Sequence, residues 1–304
     1  MPTDAAAVRV RVPAKVNLYL GVGALRRDGF HELVTVFHAV NLVDEVRARP
    51  ATGLQLRLSG EGAETLPTGP DNIAWRAAAL LAEHAEVAPD ALLEIHKAIP
   101  VAGGMAGGSA DAAATLLACS TLWQTGTSKP ELLRLAAELG SDVAFGLVGG
   151  TALGTGRGEV LAPALTTATL HWVFALADFG ISTAEAYREL DRQRAASGPA
   201  RAPGAPDALL DALRAGDPHR LAATLSNDLE RAARHLAPTL DETLAVGREL
   251  GALAGIVCGS GPTVAFLTAD ATAARLLAAD LRAAEVCRAV HEASGPVAGA
   301  RVVT

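Results

Sequence analysis

A chain of 304 residues can form one large or two medium-sized domains. Half of the residues are hydrophobic and 19% are charged, which argues against a disordered protein and favours a well-buried one of enzyme size. The formal net charge of −7 disfavours a broad surface for nucleic acid or for an anionic membrane, although it is compatible with small anionic ligands.

The sequence also predicts a cytoplasmic protein. The N-terminal segment alternates charged and apolar residues and lacks the apolar core of a signal peptide. The longest stretch without Lys, Arg or Glu, residues 98–128, contains an Asp and is broken by glycines, so we expect no membrane span. The three cysteines, Cys119, Cys258 and Cys287, show neither a disulfide pattern nor zinc-ligand spacing, which indicates buried thiols in a reducing compartment.

The first half of the chain predicts an antiparallel sheet with helices. Alternating apolar residues predict four strands, the first interrupted near Pro13, in VRVRVPAKVNLYLGV, TVFHAVNLVDEVRAR, GLQLRLSG and ALLEIHKAIP. Helices are predicted for DNIAWRAAALLAEHA, with Asp71 as the N-cap, and from about Ser109 to Trp123. A third helix, SKPELLRLAAELG, begins with a capping box of Ser128 and Glu131, and VGGTALGTGRGE predicts a hairpin.

A second unit begins near Leu161 with the strand HWVFALA. A flexible surface loop is predicted from Ala195 to Pro206, followed by three helical patterns. GIVCGSGPTVAFLT reads as strand, glycine turn and strand, AARLLAADLRAAE as a helix, and the tail as a strand. The fold class is therefore α+β, with antiparallel sheets covered by helices on one side, and the predicted domains are residues 1–160 and 161–304.

The stretch PVAGGMAGGSADAAA, residues 100–114, places four glycines before a run of alanines. The first N–H groups of a helix have no internal partner, and glycines would let an anion approach them. The stretch therefore fits a phosphate-binding loop, while tight packing of a small-residue helix against a sheet fits it equally well. The chain contains no Walker loop, dinucleotide fingerprint or H-E-x-x-H motif, and GGSAD only approaches the nucleophile elbow.

Two charged residues lie in apolar surroundings. A phosphate loop without a lysine needs positive charge from Mg²⁺ or from Lys15, which follows Pro13 in a strand and either pairs with an anion or snorkels to the surface. Asp142, in LGSDVAFGLVGG, is either the N-cap of the next helical turn or a catalytic base. The turn from Cys258 to Thr263 fits an ordinary hairpin. The residues alone therefore leave the alternatives for Lys15 and Asp142 open.

The order of the motifs resembles that of the GHMP small-molecule kinases over most of the chain. The motifs are PAKVNLYLGV, RRDGFHEL, IPVAGGMAGGSADAA, LGSDVAFGLVGGTALGTGRGE, NDLE at Asn227 and GSGPTVAF. DGFHEL and the GGTALGTGRGE hairpin resemble the branch that acts on a cytidine-diphosphate-linked methylerythritol. The resemblance implies a ribosomal-S5-like ATP-binding domain for residues 1–160 and a ferredoxin-like substrate-binding domain for residues 161–304, with the site in the cleft.

The resemblance also implies a function and roles for individual residues. ATP and Mg²⁺ would be the cofactors, the 2-hydroxyl of the methylerythritol unit would accept the phosphoryl group, and the enzyme would be a monomer or a homodimer. Lys15 and Asp142 would form the catalytic pair. The cofactor contacts would be Asn72, Lys97, Pro100, Val101, Ala102, Gly103, Gly104, Met105, Ala106, Gly107, Gly108, Ser109 and Ala110. The substrate contacts would be Asn17, Phe30, His31 and Tyr187.

This sequence departs from the usual family pattern at four positions. Ala106 and Ala110 replace a glycine and a serine of the loop, and the methyl of Ala106 is expected to be tolerable if its φ is negative. Phe30 replaces a tyrosine and keeps its stacking face, while Ala144 replaces a proline beside the predicted base. The metal ligands cannot be named from the sequence.

Three other functions are weighed against this one. A kinase for homoserine or mevalonate is disfavoured by RRDGFHEL. An anion-binding protein without catalysis is disfavoured because Lys15 and Asp142 are both present. Hydrolysis through Ser109 is disfavoured because the sequence places no His to activate it.

Overall fold

The protein was examined as a computed structural model that describes residues 7–195 and 202–303. Its strands are β1 (Val8–Leu25), β2 (His31–Arg49), β3 (Leu54–Gly60), β4 (Ala91–Lys97), β5 (Thr151–Thr155), β6 (Val160–Pro163), β7 (Leu170–Leu176), β8 (Ser226–Asn227), β9 (Ala254–Val257), β10 (Val264–Thr268), β11 (Ala289–Gly295) and β12 (Arg301–Val303). Its helices are α1 (Ile73–His84), α2 (Gly107–Leu122), α3 (Lys129–Leu139), α4 (Ser141–Val148), α5 (Thr183–Ala195), α6 (Asp207–Ala215), α7 (Pro218–Ala222), α8 (Glu230–Leu236), α9 (Thr239–Glu249) and α10 (Ala271–Ala284). This mixture of sheets and helices confirms the α+β class.

The first sheet has eight strands and is mixed. Its main path is β12-β1-β2-β4-β3, with β5 and β8 attached to β2 and β1, and β6 attached to β5. The expectation of a purely antiparallel opening was wrong, because β3 and β4 pair in parallel. The chain between these two strands passes through α1, and such a crossover is what parallel neighbours require.

The second sheet is smaller and antiparallel throughout, in the order β11-β7-β10-β9. It has its own apolar cluster, to which α9 and α10 contribute Leu240, Leu244, Leu277 and Leu281. The predicted domain boundary at residues 160 and 161 stays a prediction. Strand β6 spans those residues, and β12 returns the C-terminal segment to the first sheet.

Helix starts follow local capping chemistry. The capping box of Ser128 and Glu131 at α3 is confirmed. The prediction of Asp71 as the N-cap of α1 was wrong, because Asn72 is the extended residue before the first turn and its Oδ1 accepts from Ala74 N at 2.8 Å. Helix α2 begins at Gly107, two residues earlier than expected from the alanine run.

Other sequence predictions have clear outcomes. Strand β1 continues through Pro13, and the expected interruption is a shift of register between Pro13 and Ala14. Of the predicted flexible loop 195–206, residues 196–201 lie outside the described residues. None of the helices in the described ranges is both long and apolar enough to cross a bilayer.

Cys119 and Cys258 are buried free thiols, and burial raises the pKa of each to about 12.

One buried histidine lies where the two sheets meet. His38 of β2 is fully buried, its Nδ1 is 2.9 Å from Thr151 Oγ1, and its ring centroid is 6.4 Å from that of Trp172 in β7. Burial lowers the pKa of His38 from 6.5 to about 3. The folded protein therefore holds this imidazole neutral over a range of pH in which the unfolded chain protonates it.

We expect this histidine to make the protein less stable in mild acid. Between pH 6.5 and about pH 3 the unfolded state binds a proton that the folded state does not, so the free energy of unfolding falls as the pH falls. The contribution is about 1.4 kcal/mol per pH unit. Urea unfolding from pH 7 to pH 4.5 measures it.

The His38→Asn variant should show a flatter pH dependence of unfolding than the wild type over this range. The exposed His219 offers a matched control, since His219→Gln should leave the wild-type curve unchanged. Parallel curves for the wild type and His38→Asn would contradict the assignment of the acid sensitivity to His38.

Candidate active site

Lys15 and Asp142 meet at the centre of the candidate site. Lys15 lies in β1 with its side chain 7% exposed, and its Nζ is 2.6 Å from Asn17 Oδ1 and 3.5 Å from Asp142 Oδ2. The snorkelling alternative for Lys15 was therefore wrong. The capping alternative for Asp142 was also wrong, because Gly140 is the N-cap of α4 and Asp142 lies in its first turn. A carboxylate in that turn is favoured by the helix dipole.

Asn17 links Lys15 to a threonine that sequence reasoning missed. Asn17 Nδ2 donates to Thr35 Oγ1 at 2.8 Å, and Thr35 Oγ1 donates to Tyr19 O at 2.8 Å. Thr35 and Asn17 are both buried. Thr35 belongs to β2, where alternation of apolar and polar residues alone gave it no special role, and only the pairing of β1 with β2 brings it to Asn17.

A cavity of about 500 Å³ opens in front of the glycine loop. It is bordered by Lys15, Asn17 and Asp142 and by nine of the eleven predicted loop residues: Pro100, Val101, Ala102, Gly103, Gly104, Ala106, Gly107, Gly108 and Ser109. Met105 and Ala110 do not border it, because their side chains pack in the apolar core. The prediction that these two residues contact the cofactor is therefore not supported by side-chain placement.

Helix α2 satisfies both interpretations of the glycine-rich stretch. Its first turn, Gly107 to Ser109, borders the cavity, and its N-cap residue Ala106 provides no side-chain hydrogen bond to that turn. The following alanines, 112–114, are fully buried in the core. The start of the helix therefore offers N–H groups to a ligand, while the next turn packs against the sheet.

Ala106 adopts a conformation that L-residues usually avoid. Its φ of +60° places it in the left-handed region. The negative φ at which its methyl group was expected to be tolerable is therefore not observed. A non-glycine residue in this region costs about 1–2 kcal/mol. The surrounding loop must supply that free energy.

The second glycine turn, Cys258 to Thr263, closes the antiparallel hairpin of β9 and β10, which confirms the hairpin interpretation, and it also packs directly on the first loop. Gly104 has a φ of +76°, and a Cβ there would lie 1.9 Å from Cys258 O. Only glycine allows the two backbones to come this close. Gly259, Ser260 and Gly261 consequently border the same cavity as the glycine loop.

Lys97 lies beneath the loop in a buried ion cluster. Its Nζ contacts the carboxylate of Asp44 and lies 2.6 Å from Asp111 Oδ2. Asp44 Oδ1 also accepts from the N–H groups of Ala98 and Ile99 at 2.6 and 2.8 Å. Burial opposes a charge on Lys97, but the two carboxylates outweigh it and raise its pKa. Burial also raises the pKa of Asp111 well above its usual range, against the effect of Lys97.

Asn72 and Lys97, two of the predicted cofactor contacts, are thus already engaged within the protein. Lys97 borders the cavity, but its ammonium is bound by carboxylates. Asn72 caps α1 through its oxygen and donates through its nitrogen to Pro67 O at 2.8 Å. Its neighbour Ile73 borders the cavity instead. Direct contacts of Asn72 and Lys97 with a cofactor remain predictions.

A second cavity, of about 730 Å³, contains the predicted aromatic residues. His31 is buried, stacks on Tyr187 with ring centroids 5.0 Å apart, and places Nε2 2.9 Å from Asp191 Oδ1. Burial raises the pKa of Tyr187. Phe30 is 52% exposed, and the Arg157 guanidinium lies 4.9 Å from its ring centroid.

Sequence reasoning missed Asp191 and Arg157. Asp191 is 160 residues from its partner His31 in the chain, so no local pattern connects the two. Arg157 lies in the glycine-rich hairpin that the resemblance singled out, but its contact with Phe30 becomes visible only in the fold.

The two cavities adjoin at Asp142. Five residues border both of them: Leu33, Ser109, Asp142, Thr183 and Tyr187. Thr183 also contacts Ser260 through their hydroxyls at 3.0 Å, which links α5 to the second glycine turn. A group held in one cavity can therefore reach a group held in the other beside Asp142.

Comparisons with known proteins agree on one family. The family model for the GHMP kinases N terminal domain matches residues 72–152, and the model for the GHMP kinases C terminal region matches residues 209–287. The 4-diphosphocytidyl-2-C-methyl-D-erythritol kinase of Mycolicibacterium gilvum is 58% identical over 299 residues, covering 98% of this chain and 93% of that protein. The kinase of the same name from Mycobacterium tuberculosis is also 58% identical, over 298 residues, with the same two coverages.

Solved structures show the same fold. A crystal structure of 4-(cytidine 5'-diphospho)-2C-methyl-D-erythritol kinase aligns with a TM-score of 0.75 at 32% identity, covering 94% of this chain and 98% of that chain. A homoserine kinase from Cytophaga hutchinsonii also reaches a TM-score of 0.75, but at 18% identity, with 100% and 99% coverage. The similarity to this homoserine kinase concerns the fold alone.

We expect the Gly108→Ala variant to separate ligand binding from packing. A Cβ at Gly108 would meet only Ile73 Cγ2 at an ordinary 3.5 Å, so the fold accepts it, and alanine favours a helix over glycine by about 1 kcal/mol. The methyl group would nevertheless cover N–H groups at the helix start. The dissociation constant for ATP should rise about tenfold or more, since hydrogen bonds to a charged group contribute about 1.5–3 kcal/mol.

Isothermal titration and thermal melting measure the two effects. Gly69→Ala is the matched control, because its Cβ has open space and the residue does not border the cavity. A lower melting temperature for Gly108→Ala with unchanged ATP binding would favour packing as the main role of this glycine.

Proposed function

The chain belongs to the GHMP kinases, and we propose that it transfers the γ-phosphoryl group of ATP to the 2-hydroxyl of 4-diphosphocytidyl-2-C-methyl-D-erythritol. The observation that carries this proposal is the pair of adjoining cavities with Asp142 between them. One cavity has the uncapped helix start of a phosphate site, and the other has exposed aromatic surface for a base. The high identity to relatives named for this substrate supports the choice of acceptor.

Phosphoryl transfer depends mainly on positioning and on stabilisation of charge. Asp142 accepts the proton of the attacking hydroxyl, and Lys15, 3.5 Å from its carboxylate, holds the carboxylate and the attacking oxygen together. A tertiary alcohol is crowded and a poor acid, so its orientation matters as much as the base. The contacts that the second cavity makes with the rest of the substrate provide that orientation.

The glycine loop would hold the phosphates of ATP, with Mg²⁺ as the expected counter-ion. Within the described ranges no group of three or more His, Cys, Asp or Glu residues could hold a metal ion. Mg²⁺ usually needs only one or two protein ligands when phosphates supply others, and Ser109 and Asp142 place oxygen donors at the cavity. Mg²⁺ bound there would neutralise charge on the phosphates. A kinase that draws on the cellular ATP pool fits the predicted cytoplasmic location, and its assembly as a monomer or a homodimer stays a prediction.

The acceptor cavity accounts for substrate choice. Phe30 provides an exposed ring face for the cytosine, and base–aromatic stacking contributes about 1–3 kcal/mol per base. His31 provides a polar group beside it, and Tyr187 supports His31 by stacking. Asn17 borders the glycine-loop cavity instead, so its contact with the substrate stays a prediction. Arg157, next to Phe30, is a cation suited to the diphosphate of the substrate. An ADP-release assay with the cytidine substrate, homoserine and mevalonate tests the assignment, and faster turnover of homoserine or mevalonate would overturn it.

We expect Asp142→Asn to lower kcat by about 10²–10⁴-fold, the usual contribution of a positioned general base. Lys15→Met should cause a similar loss. Because the two groups act as a unit, the double variant should lose less than the product of the two single effects. Asp280→Asn makes the same chemical change on an exposed face of α10 and should keep wild-type turnover. Near-normal kcat for Asp142→Asn would remove this residue from the mechanism.

We expect Phe30→Ala to raise KM for the cytidine substrate by about ten- to a hundredfold, from the loss of stacking. Its kcat should change much less, because stacking binds the ground state and the transition state alike. KM for ATP should hardly change. Phe179→Ala is the control, since Phe179 is also partly exposed but borders a different groove. A selective loss of ATP affinity in Phe30→Ala would show that the base pocket is misplaced.

A further inference from the structure

Thr35 is a buried polar residue to which the proposed chemistry gives no role. It lies near the start of β2, opposite Leu20 of β1 and Gly154 of β5, and it is fully buried. It borders the glycine-loop cavity, yet its hydroxyl is directed to Asn17 and to Tyr19 O. A buried hydroxyl with two defined partners fixes the direction of the hydrogen bonds around it.

The direction of each hydrogen bond follows from elementary chemistry. Tyr19 O is a carbonyl and can only accept, so the single proton of the Thr35 hydroxyl goes to it at 2.8 Å. The Thr35 oxygen is then left to accept, and Asn17 must present its nitrogen, Nδ2, at 2.8 Å. The amide of Asn17 consequently has its oxygen toward Lys15, whose Nζ donates at 2.6 Å.

The opposite orientation of the amide would disrupt the catalytic pair. It would place the NH₂ group of Asn17 against the ammonium of Lys15, two donors face to face with no acceptor between them. Lys15 would then move away from Asn17 and from its place 3.5 Å from Asp142 Oδ2. Without the Thr35 hydroxyl, Lys15 alone would select the orientation, and the Nδ2 group of Asn17 would lose its acceptor.

The backbone of β1 brings the three groups together. The ladder between β1 and β2 shifts by one residue between Asn17 and Tyr19, which is a β-bulge. Bulges often re-aim side chains beside active sites. Here the bulge lies between the side chain of Asn17 and the carbonyl of Tyr19, and Thr35 bonds to both.

We propose that Thr35 is a positioning residue that fixes the orientation of the Asn17 amide and, through it, holds the Lys15 ammonium beside Asp142. The proposal rests on the proposed function, since it assigns Lys15 and Asp142 to phosphoryl transfer. It adds a residue without direct contact to the reacting atoms, separated from the carboxylate of Asp142 by Asn17 and Lys15.

The first test needs no turnover. In NMR spectra of the free protein, the side-chain NH₂ signals of Asn17 are identified by their disappearance in Asn17→Ala. These protons should exchange slowly with solvent in the wild type and in Thr35→Ser, and faster in Thr35→Val, which keeps the shape of threonine and lacks the hydroxyl. Equal exchange in all three proteins would overturn the proposal whether or not the protein phosphorylates the cytidine compound.

The second test measures turnover of the cytidine substrate. Thr35→Val should lower kcat about tenfold, the effect of about 1.4 kcal/mol or one hydrogen bond, with little change in KM for ATP. Thr35→Ser should stay within about twofold of the wild type, because it keeps the hydroxyl. If Thr35→Val fails to fold, as judged by thermal melting, Thr35→Ala replaces it.

A double-mutant cycle separates positioning from general structural damage. In an Asn17→Ala background there is no amide to orient, so Thr35→Val should change kcat by less than about twofold. An equal loss in both backgrounds would overturn the proposal, and so would unchanged kcat in Thr35→Val. If the wild type shows the protected Asn17 signals but no turnover, the proposed function fails and the hydrogen-bond chain stands.

Discussion

The candidate site depends above all on the buried contact of Lys97 with Asp44 and Asp111. Lys97 ends β4 just before the glycine loop, and Asp111 lies in α2 just after it, so this contact holds both ends of the loop. Asp44 ties them to β2 and also accepts the N–H groups of Ala98 and Ile99. Removing one partner of a buried ion cluster leaves an uncompensated charge and typically costs about 3–5 kcal/mol. The loop can therefore tolerate the left-handed Ala106 because its ends are fixed.

From the ion cluster around Lys97, the contacts of the site extend into both halves of the chain. Gly104 places the loop against the Cys258 carbonyl of the second glycine turn, and Ser260 of that turn contacts Thr183 at the start of α5. Helix α5 then carries Tyr187 and Asp191 to His31. The contacts between residues are continuous from the glycine-loop cavity to the cavity that contains Phe30. This continuity explains how two cavities with different chemistry share Asp142.

Local chemistry made much of this fold predictable from the sequence. The capping box at Ser128, the alternating strands and the glycine turns depend on neighbouring residues, and the order of the motifs indicated the family. The partners of Lys97, Asn17 and His31 were not predictable, because strand pairing and domain packing bring them from distant parts of the chain. The parallel pairing of β3 with β4 and the sign of φ at Ala106 likewise depend on the assembled loop and sheet.

The position of β12 affects the order in which the protein can fold. This last strand pairs with β1, Arg9 opposite Val303, so the first sheet uses both ends of the described chain and the second sheet lies between them in sequence. During synthesis, this edge of β1 has no partner until residues 301–303 have left the ribosome. Pairings over such long separations form slowly, and open strand edges invite contacts with other chains. The protein should therefore be most vulnerable to aggregation while it is being made, before β12 covers β1.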